Sequence, residues 1–126
     1  MPKEIYDVLI IGGGPIGLAC GIAAKANNLS HVLLEKGCLV NSLYNYPVNM
    51  TFFSSAEKLE VGGIPFVTTN PKPKRAEALE YYRRIDNNFD LNTRLFEEVR
   101  DVIKDQDTGL FSVSSSRAVY LAKHVI

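Results

Sequence analysis

The chain has 126 residues, enough for one domain with one hydrophobic core. Its formal net charge is zero and its composition is that of an ordinary soluble globular protein, so nothing indicates a nucleic-acid partner. The uncharged run from Val8 to Ala24 is too short and too rich in glycine for a membrane span, and we expect no membrane partner. The two cysteines form no C-x-x-C pair or zinc motif, which fits a cytoplasmic protein and predicts no metal site.

The first predicted elements form a β-α-β unit. Ile5–Ile11 predicts a buried strand, because a short apolar run ends at glycines. Pro15 favours the start of a helix, whose apolar face continues to Ala26. His31–Leu34 predicts a second buried strand, with Glu35 at its carboxyl end.

In the remaining two thirds of the chain the sequence pattern changes twice. Residues 37–74 have no long period, and a structureless stretch of this length is usually functional. Helical spacing predicts a helix over residues 75–88, and Leu91–Arg94 has the pattern of a third parallel strand. His124–Ile126 has the pattern of the start of a further buried strand. Before it, turn signals separate three short strands of an antiparallel meander, Val99–Lys104, Leu110–Ser114 and Ala118–Leu121.

A glycine-rich loop follows the first predicted strand. Its sequence, Gly-Gly-Gly-Pro-Ile-Gly over residues 12–17, satisfies G-x-G-x-x-G. Gly12 allows a tight turn, Gly14 lets the backbone approach a pyrophosphate, and Gly17 lets the helix pack closely on the strand. The phosphates would meet unpaired N–H groups and the positive end of the helix dipole. The loop therefore predicts a dinucleotide site.

Glu35 follows the loop at the spacing expected of a ribose-binding acid, about twenty residues on. Its carboxylate can accept hydrogen bonds from both ribose hydroxyls, and its charge disfavours the 2′-phosphate of NADP. The alternative is a glycine-rich turn followed by a surface glutamate. The β-α-β unit alone leaves FAD and NAD open, but the N-terminal position of the loop and the passage into a meander favour FAD by analogy of fold.

Together the elements predict an α/β fold, a Rossmann-like FAD-binding ββα domain. Its parallel sheet would carry a helix on one face and the three-stranded antiparallel meander on the other. We expect the domain to be incomplete, because the sequence stops inside the last predicted strand. Uncovered apolar surface and a free sheet edge would then favour self-association.

The segments GGGPIGL, LLEKG, YNYP, TFFSS and EALEYYR resemble the thioredoxin-reductase-like flavoproteins, and within them the bacillithiol disulfide reductase branch. The likeness runs through essentially the whole chain. YNYP followed by TFFSS and a P-x-R helix start is more specific than the glycine loop. The resemblance implies that residues 1–126 are the N-terminal segment of an FAD-binding domain. For the intact parent it implies NADPH as electron donor and a low-molecular-weight disulfide or a small redox protein as partner.

Carried over by position, the resemblance also implies a set of cofactor-binding residues. Asn45 matches the N-[WY]-P asparagine beside the flavin, and Val99 matches the position whose backbone pairs with adenine. A flavin needs apolar walls and a few fixed polar groups, which the aromatic and polar residues of 42–53 could supply. The alternative is that these aromatics are core. The resemblance and these polar groups together give the predicted cofactor-binding residues, which are Gly12, Gly14, Pro15, Ile16, Gly17, Glu35, Lys36, Gly37, Ser42, Asn45, Thr51, Phe52 and Val99.

Two departures separate this chain from the pattern of the branch. A cysteine proposed to act on the disulfide often follows the loop proline, whereas Ile16 stands there in this sequence. Cys20 is predicted to be a small packing residue, and nothing marks Cys38 as a nucleophile. The chain also lacks a second G-x-G-x-x-G and an NADPH domain, so we expect it to be inactive alone. No catalytic residue is predicted.

Two other functions remain open from the sequence. A flavin-dependent monooxygenase or oxidase would have the same first β-α-β unit. A non-catalytic dinucleotide-binding module would share the glycine loop and Glu35 but would carry no flavin.

Overall fold

The computed structural model describes residues 4–126, so residues 1–3 of the predicted domain lie outside the described residues. Within that range six strands form one sheet, in the order β3-β2-β1-β6-β5-β4. The predicted α/β class is therefore confirmed. In chain order the elements are β1 Ile5–Ile11, α1 Pro15–Ala26, β2 His31–Leu34, α2 Asn41–Tyr44, a 3-10 turn Ala56–Leu59, α3 Arg75–Phe89, β3 Thr93–Arg94, β4 Val99–Lys104, β5 Phe111–Ser115 and β6 Val119–Val125.

The sheet has a parallel half and an antiparallel half that meet at β6. β1 pairs in parallel with β2 and with β6, and β2 pairs in parallel with β3. β4, β5 and β6 form the predicted antiparallel meander. β6 therefore joins the meander to the parallel strands through hydrogen bonds.

β6 is longer than predicted. The sequence suggested two strands, Ala118–Leu121 and the start of another at His124, but one strand continues from Val119 to Val125. The predicted break falls at residues 122–123, where Lys123 interrupts the apolar pattern. Lys123 is accommodated because its Nζ lies 3.2 Å from an Asp7 carboxylate oxygen on the neighbouring strand.

The two faces of the parallel strands are buried against different elements. β2 illustrates the division: Leu33 packs in the cluster that includes residues of α1 and α3, whereas Val32 and Leu34 pack against the meander. All three are fully or almost fully buried, and a buried side chain of this size contributes roughly 1.5–3 kcal/mol. The helix-on-one-face, meander-on-the-other arrangement is thus observed. β3 is shorter than the predicted Leu91–Arg94, because the Leu91 N–H bonds back to Asp86 at the end of α3.

The segment 37–74 is more ordered than its lack of periodicity suggested. It contains α2 and the 3-10 turn, and two tyrosines of α3 fasten it. The hydroxyl of Tyr81 donates to the Ile64 carbonyl at 2.7 Å, and that of Tyr82 donates to the Leu59 carbonyl at 2.7 Å. Burial, with a smaller effect from Tyr81, raises the pKa of Tyr82 to about 12.

Across residues 4–126, no helix combines the length and apolar character needed to cross a bilayer. The same residues contain no group of three or more His, Cys, Asp or Glu side chains placed to hold a metal ion. Cys20 and Cys38 are both free thiols.

Candidate dinucleotide-binding site

The glycine loop connects β1 to α1 in a conformation that requires glycine at two positions. Gly12 has φ +107°, a region that other residues rarely adopt. A Cβ on Gly17 would lie 1.9 Å from the Gly12 carbonyl oxygen, so α1 could not pack this closely on the loop with any other residue there. By contrast, a Cβ on Gly14 would meet nothing within 4 Å. The backbone at Gly14 thus faces open space, where a pyrophosphate could approach.

The start of α1 is suited to an anion. Gly14 is the N-cap and makes no side-chain cap hydrogen bond, and Pro15 occupies the first turn. No acidic residue lies in that turn. The first N–H groups of a helix have no intrahelical partner, so their positive end remains available to a phosphate.

Glu35 is buried, and its carboxylate accepts a hydrogen bond from the glycine loop. Its Oε1 accepts a hydrogen bond from the Gly13 N–H at 2.8 Å, and its Oε2 accepts one from the Gly37 N–H at 2.6 Å. A Cβ on Gly13 would lie 3.0 Å from the Glu35 Cβ. The middle glycine, to which the motif assigns no role, therefore lets the loop approach Glu35 without crowding its side chain. The carboxylate is held in one orientation and still has lone pairs for ribose hydroxyls.

Two adjoining depressions share Gly12 and bring most of the predicted site residues together. The first runs along the loop and the start of α1, and the second contains the ribose acid and the start of β4. The first is lined by Ile10, Ile11, Gly12, Gly14, Pro15, Ile16, Gly17, Cys20 and Ile126; the second is lined by Ile11, Gly12, Leu34, Glu35, Lys36, Glu98 and Val99. Gly37 joins them through its hydrogen bond to Glu35.

The four residues assigned to the flavin end do not line these depressions; Ser42 lies in α2 and the other three on the segment between α2 and α3. Ser42, Asn45 and Thr51 are exposed and Phe52 is half-buried. The Asn45 Nδ2 donates to the carbonyl of Asn41 at 2.9 Å. Phe52 packs against the core cluster, as the core alternative for this aromatic anticipated. The roles of these four residues toward a cofactor remain predictions.

A buried carboxylate that the sequence did not single out lies next to the ribose acid. Glu97 accepts hydrogen bonds from the Ser115 hydroxyl at 2.6 Å and the Tyr120 hydroxyl at 2.5 Å, while its own N–H donates to the Glu35 carbonyl at 2.8 Å. Burial alone would raise the pKa of Glu97, but these two hydroxyls and the charge of Arg94 lower it below its usual value. Glu97 thus ties the segment before β4 to the end of β2.

The cysteine and histidine positions offer little further chemistry. Cys20, predicted as a packing residue, is half-buried, packs against the core and also lines the loop depression near Ile16. His31 is buried and its Nε2 accepts the Asn92 N–H at 3.2 Å. Burial, and then the charge of Lys25, lower the pKa of His31, which keeps it neutral in a structural role.

Comparison with known proteins gives a consistent group of relatives. The family model described as pyridine nucleotide-disulphide oxidoreductase matches residues 9–126. The bacilliredoxin reductase Bdr of Bacillus subtilis is 44% identical over 118 residues, which cover 94% of this chain and 36% of that protein.

Solved structures agree with this group. The bacillithiol disulfide reductase Bdr (YpdA) of Bacillus cereus superposes with a TM-score of 0.92 at 41% identity, over 97% of this chain and 39% of that one. A flavin-containing monooxygenase of Stenotrophomonas maltophilia matches with a TM-score of 0.90 at 25% identity, over 98% of this chain and 38% of that one. The chain thus spans less than two fifths of the length of these relatives.

Proposed function

Because this chain belongs to the pyridine nucleotide-disulphide oxidoreductase family, we propose that it is the FAD-binding element of an NADPH-dependent flavin oxidoreductase. The proposed substrate is a low-molecular-weight disulfide or a small redox protein, in keeping with the names of the Bacillus relatives. The observation that carries the proposal is the pairing of the open backbone at Gly14 with the fixed carboxylate of Glu35.

The residues present fit FAD at its adenosine end. The start of α1 would hold the pyrophosphate, and the Glu35 carboxylate would accept the ribose hydroxyls. Val99 lies in the same depression as Glu35, which supports its proposed backbone contact with adenine. When bound, FAD supplies the capacity to accept hydride from NADPH and to pass two electrons to a disulfide. The protein contributes binding, orientation and electrostatics.

The test is ligand binding to the purified chain, with Glu35→Gln as the variant. Glutamine retains one acceptor oxygen but presents an NH₂ group to the second backbone N–H, so either the Gly13 or the Gly37 contact is lost. We expect the affinity for FAD and for ADP to fall about tenfold or more, as measured by calorimetry. Glu57→Gln, at an exposed glutamate of the 3-10 turn, is the matched control and should leave both affinities unchanged. A parent chain that binds neither ligand would contradict the proposal.

A second candidate is a flavin-dependent monooxygenase. It is favoured by one observation: Ile16, 78% exposed beside the loop proline, offers no thiol for disulfide exchange. The Stenotrophomonas structure supports it less than the Bacillus proteins support the reductase, because its identity is lower. The two are distinguished by NADPH oxidation in the native polypeptide that carries this chain. Oxidation that requires an added disulfide supports the reductase, whereas oxygen-dependent hydroxylation of a substrate supports the monooxygenase.

We further propose that the chain self-associates and acts in the cytoplasm. β4 is an edge strand of the sheet, and its Val102 and Ile103 are 39% and 59% exposed, which suits pairing with a second copy. Light scattering should detect a species larger than a monomer, and Ile103→Lys should reduce it. A clean monomer at high concentration would contradict self-association.

The two free thiols support the proposed cytoplasmic location.

A further inference from the structure

The P-x-R segment that begins α3, Pro73 to Arg75, contacts the loop that carries the predicted flavin-facing residues. That loop runs from Tyr44, the last residue of α2, to Phe52. The Pro73 carbonyl accepts the Phe52 N–H at 2.9 Å, and the Arg75 N–H donates to the Met50 carbonyl at 3.0 Å. One end of the loop is therefore held by backbone hydrogen bonds to the start of α3.

The side chain of Arg75 holds the other end of the loop. Its Nη2 and Nε donate to the Tyr44 carbonyl at 2.6 Å and 3.2 Å, and its Cζ lies 5.3 Å from the centroid of the Tyr44 ring. The last carbonyls of a helix lack intrahelical partners, and a charged donor forms a stronger bond to them than a neutral one. The guanidinium thus fixes the direction in which the chain leaves α2.

Asn45 is the residue that this direction controls. Its N–H and its side-chain Nδ2 both donate to the Asn41 carbonyl, at 3.1 Å and 2.9 Å, so it follows the end of α2. Burial does little to fix this part of the loop, since Tyr44 and Tyr46 are 56% and 41% exposed. Asn45 is therefore held both by its own bonds to the Asn41 carbonyl and by the bonds from Arg75 to the carbonyl of the preceding residue.

We propose that Arg75 is a positioning residue for the flavin half of the cofactor, acting through the Tyr44 carbonyl on Asn45. The proposal rests on the proposed function and on the predicted place of Asn45 beside the flavin. ADP contains the pyrophosphate and the adenosine but no flavin, so we expect its contacts to be confined to the glycine loop and the depression around Glu35. Arg75 should therefore matter for FAD and not for ADP.

The experiment compares the affinities of the 126-residue chain for FAD and for ADP in three variants. Arg75→Ala removes the bonds to Tyr44 but leaves both backbone contacts of the P-x-R segment. Arg75→Lys restores a charged donor without the planar fork. Arg84→Ala, an exposed arginine on the same helix that pairs with Glu80, is the matched control.

We expect Arg75→Ala to weaken FAD binding about tenfold while ADP binding is unchanged, Arg75→Lys to recover part of the loss, and Arg84→Ala to alter neither affinity. Amide hydrogen exchange over residues 45–52 should also accelerate in Arg75→Ala alone. Equal losses of FAD and ADP affinity, or unchanged FAD binding, would overturn the role of Arg75 and leave the proposed function intact. A parent chain that binds ADP but not FAD, or neither ligand, would contradict the proposed function and this role together.

Discussion

The two ends of the proposed cofactor site are constructed in different ways. At the adenosine end a buried carboxylate, Glu35, is bonded to two backbone N–H groups of the loops around it. At the flavin end the candidate residues lie on a largely exposed segment that the start of α3 holds through a few hydrogen bonds. The adenosine end is therefore preorganised, whereas the flavin end is expected to become fully ordered only against its ligand. Variants at each end should separate folding from binding.

Gly17→Ala should have the largest effect, because the added Cβ would lie 1.9 Å from the backbone carbonyl oxygen of Gly12. We expect the free energy of unfolding to fall by about 3 kcal/mol, measured by thermal or denaturant unfolding. Gly14→Ala is the matched control. Its Cβ meets open space, so stability should be retained while ADP affinity falls. Equal stability of the two variants would contradict the account of the loop.

Glu97→Ala should have the next largest effect, because it leaves the hydroxyl of buried Tyr120 without its acceptor. The expected loss is about 2 kcal/mol of unfolding free energy. Glu98→Ala, at the exposed neighbouring glutamate, should change stability little. A Glu97→Ala variant as stable as Glu98→Ala would show that the hydrogen bonds of Glu97 to Ser115 and Tyr120 do not stabilise the fold.

The same carboxylate should also make stability depend on acid pH. The pKa of Glu97 is lower in the folded protein than its ordinary value of 4.5, so the ionised form stabilises the fold. This contribution is present above the ordinary pKa and is lost as pH falls through the lowered folded pKa. Glu97→Gln should therefore flatten the decline of stability below pH 4.5 in acid-unfolding curves. A decline identical to that of the parent chain would assign the acid sensitivity to other groups.

Tyr82→Phe should have a smaller effect, confined to the segment between α2 and α3. It removes the hydrogen bond from the Tyr82 hydroxyl to the Leu59 carbonyl and keeps the buried ring. We expect a loss of about 1 kcal/mol and faster amide exchange around the 3-10 turn, with ADP affinity unchanged. Tyr46→Phe, at a more exposed tyrosine, is the control for stability. A fall in ADP affinity would mean that the segment between α2 and α3 and the adenosine end of the site are coupled more tightly than their contacts indicate.

The same contrast explains how much could be predicted from the sequence. The bounds of β1 and β2 and the convergence of Gly12, Gly14 and Glu35 followed from a buried apolar run, a glycine motif and a spacing, all of which are local signals. The continuity of β6 could not be predicted from such signals, because its register is set by β1, more than a hundred residues earlier in the chain. Local patterns contain no such pairing information.

The supports of the site were harder to predict than the residues that face the ligand. The hydroxyls that donate to Glu97 belong to residues of β5 and β6. The guanidinium that donates to the Tyr44 carbonyl belongs to Arg75, 31 residues further along the chain. The P-x-R segment was visible as a motif, but its contact with the YNYP loop depends on tertiary packing. Asn45, Thr51 and Phe52 came from family resemblance and Ser42 from the polar groups that a flavin needs, and the positions of all four relative to a flavin remain predictions.

Amide hydrogen exchange of the purified chain, measured alone, with ADP and with FAD, tests the central claim most directly. We predict that both ligands slow exchange at residues 12–17 and 35–37, and that FAD alone also slows exchange over residues 41–53. Protection that omits the glycine loop and Gly37 with either ligand would contradict the account of a dinucleotide site fixed by Glu35.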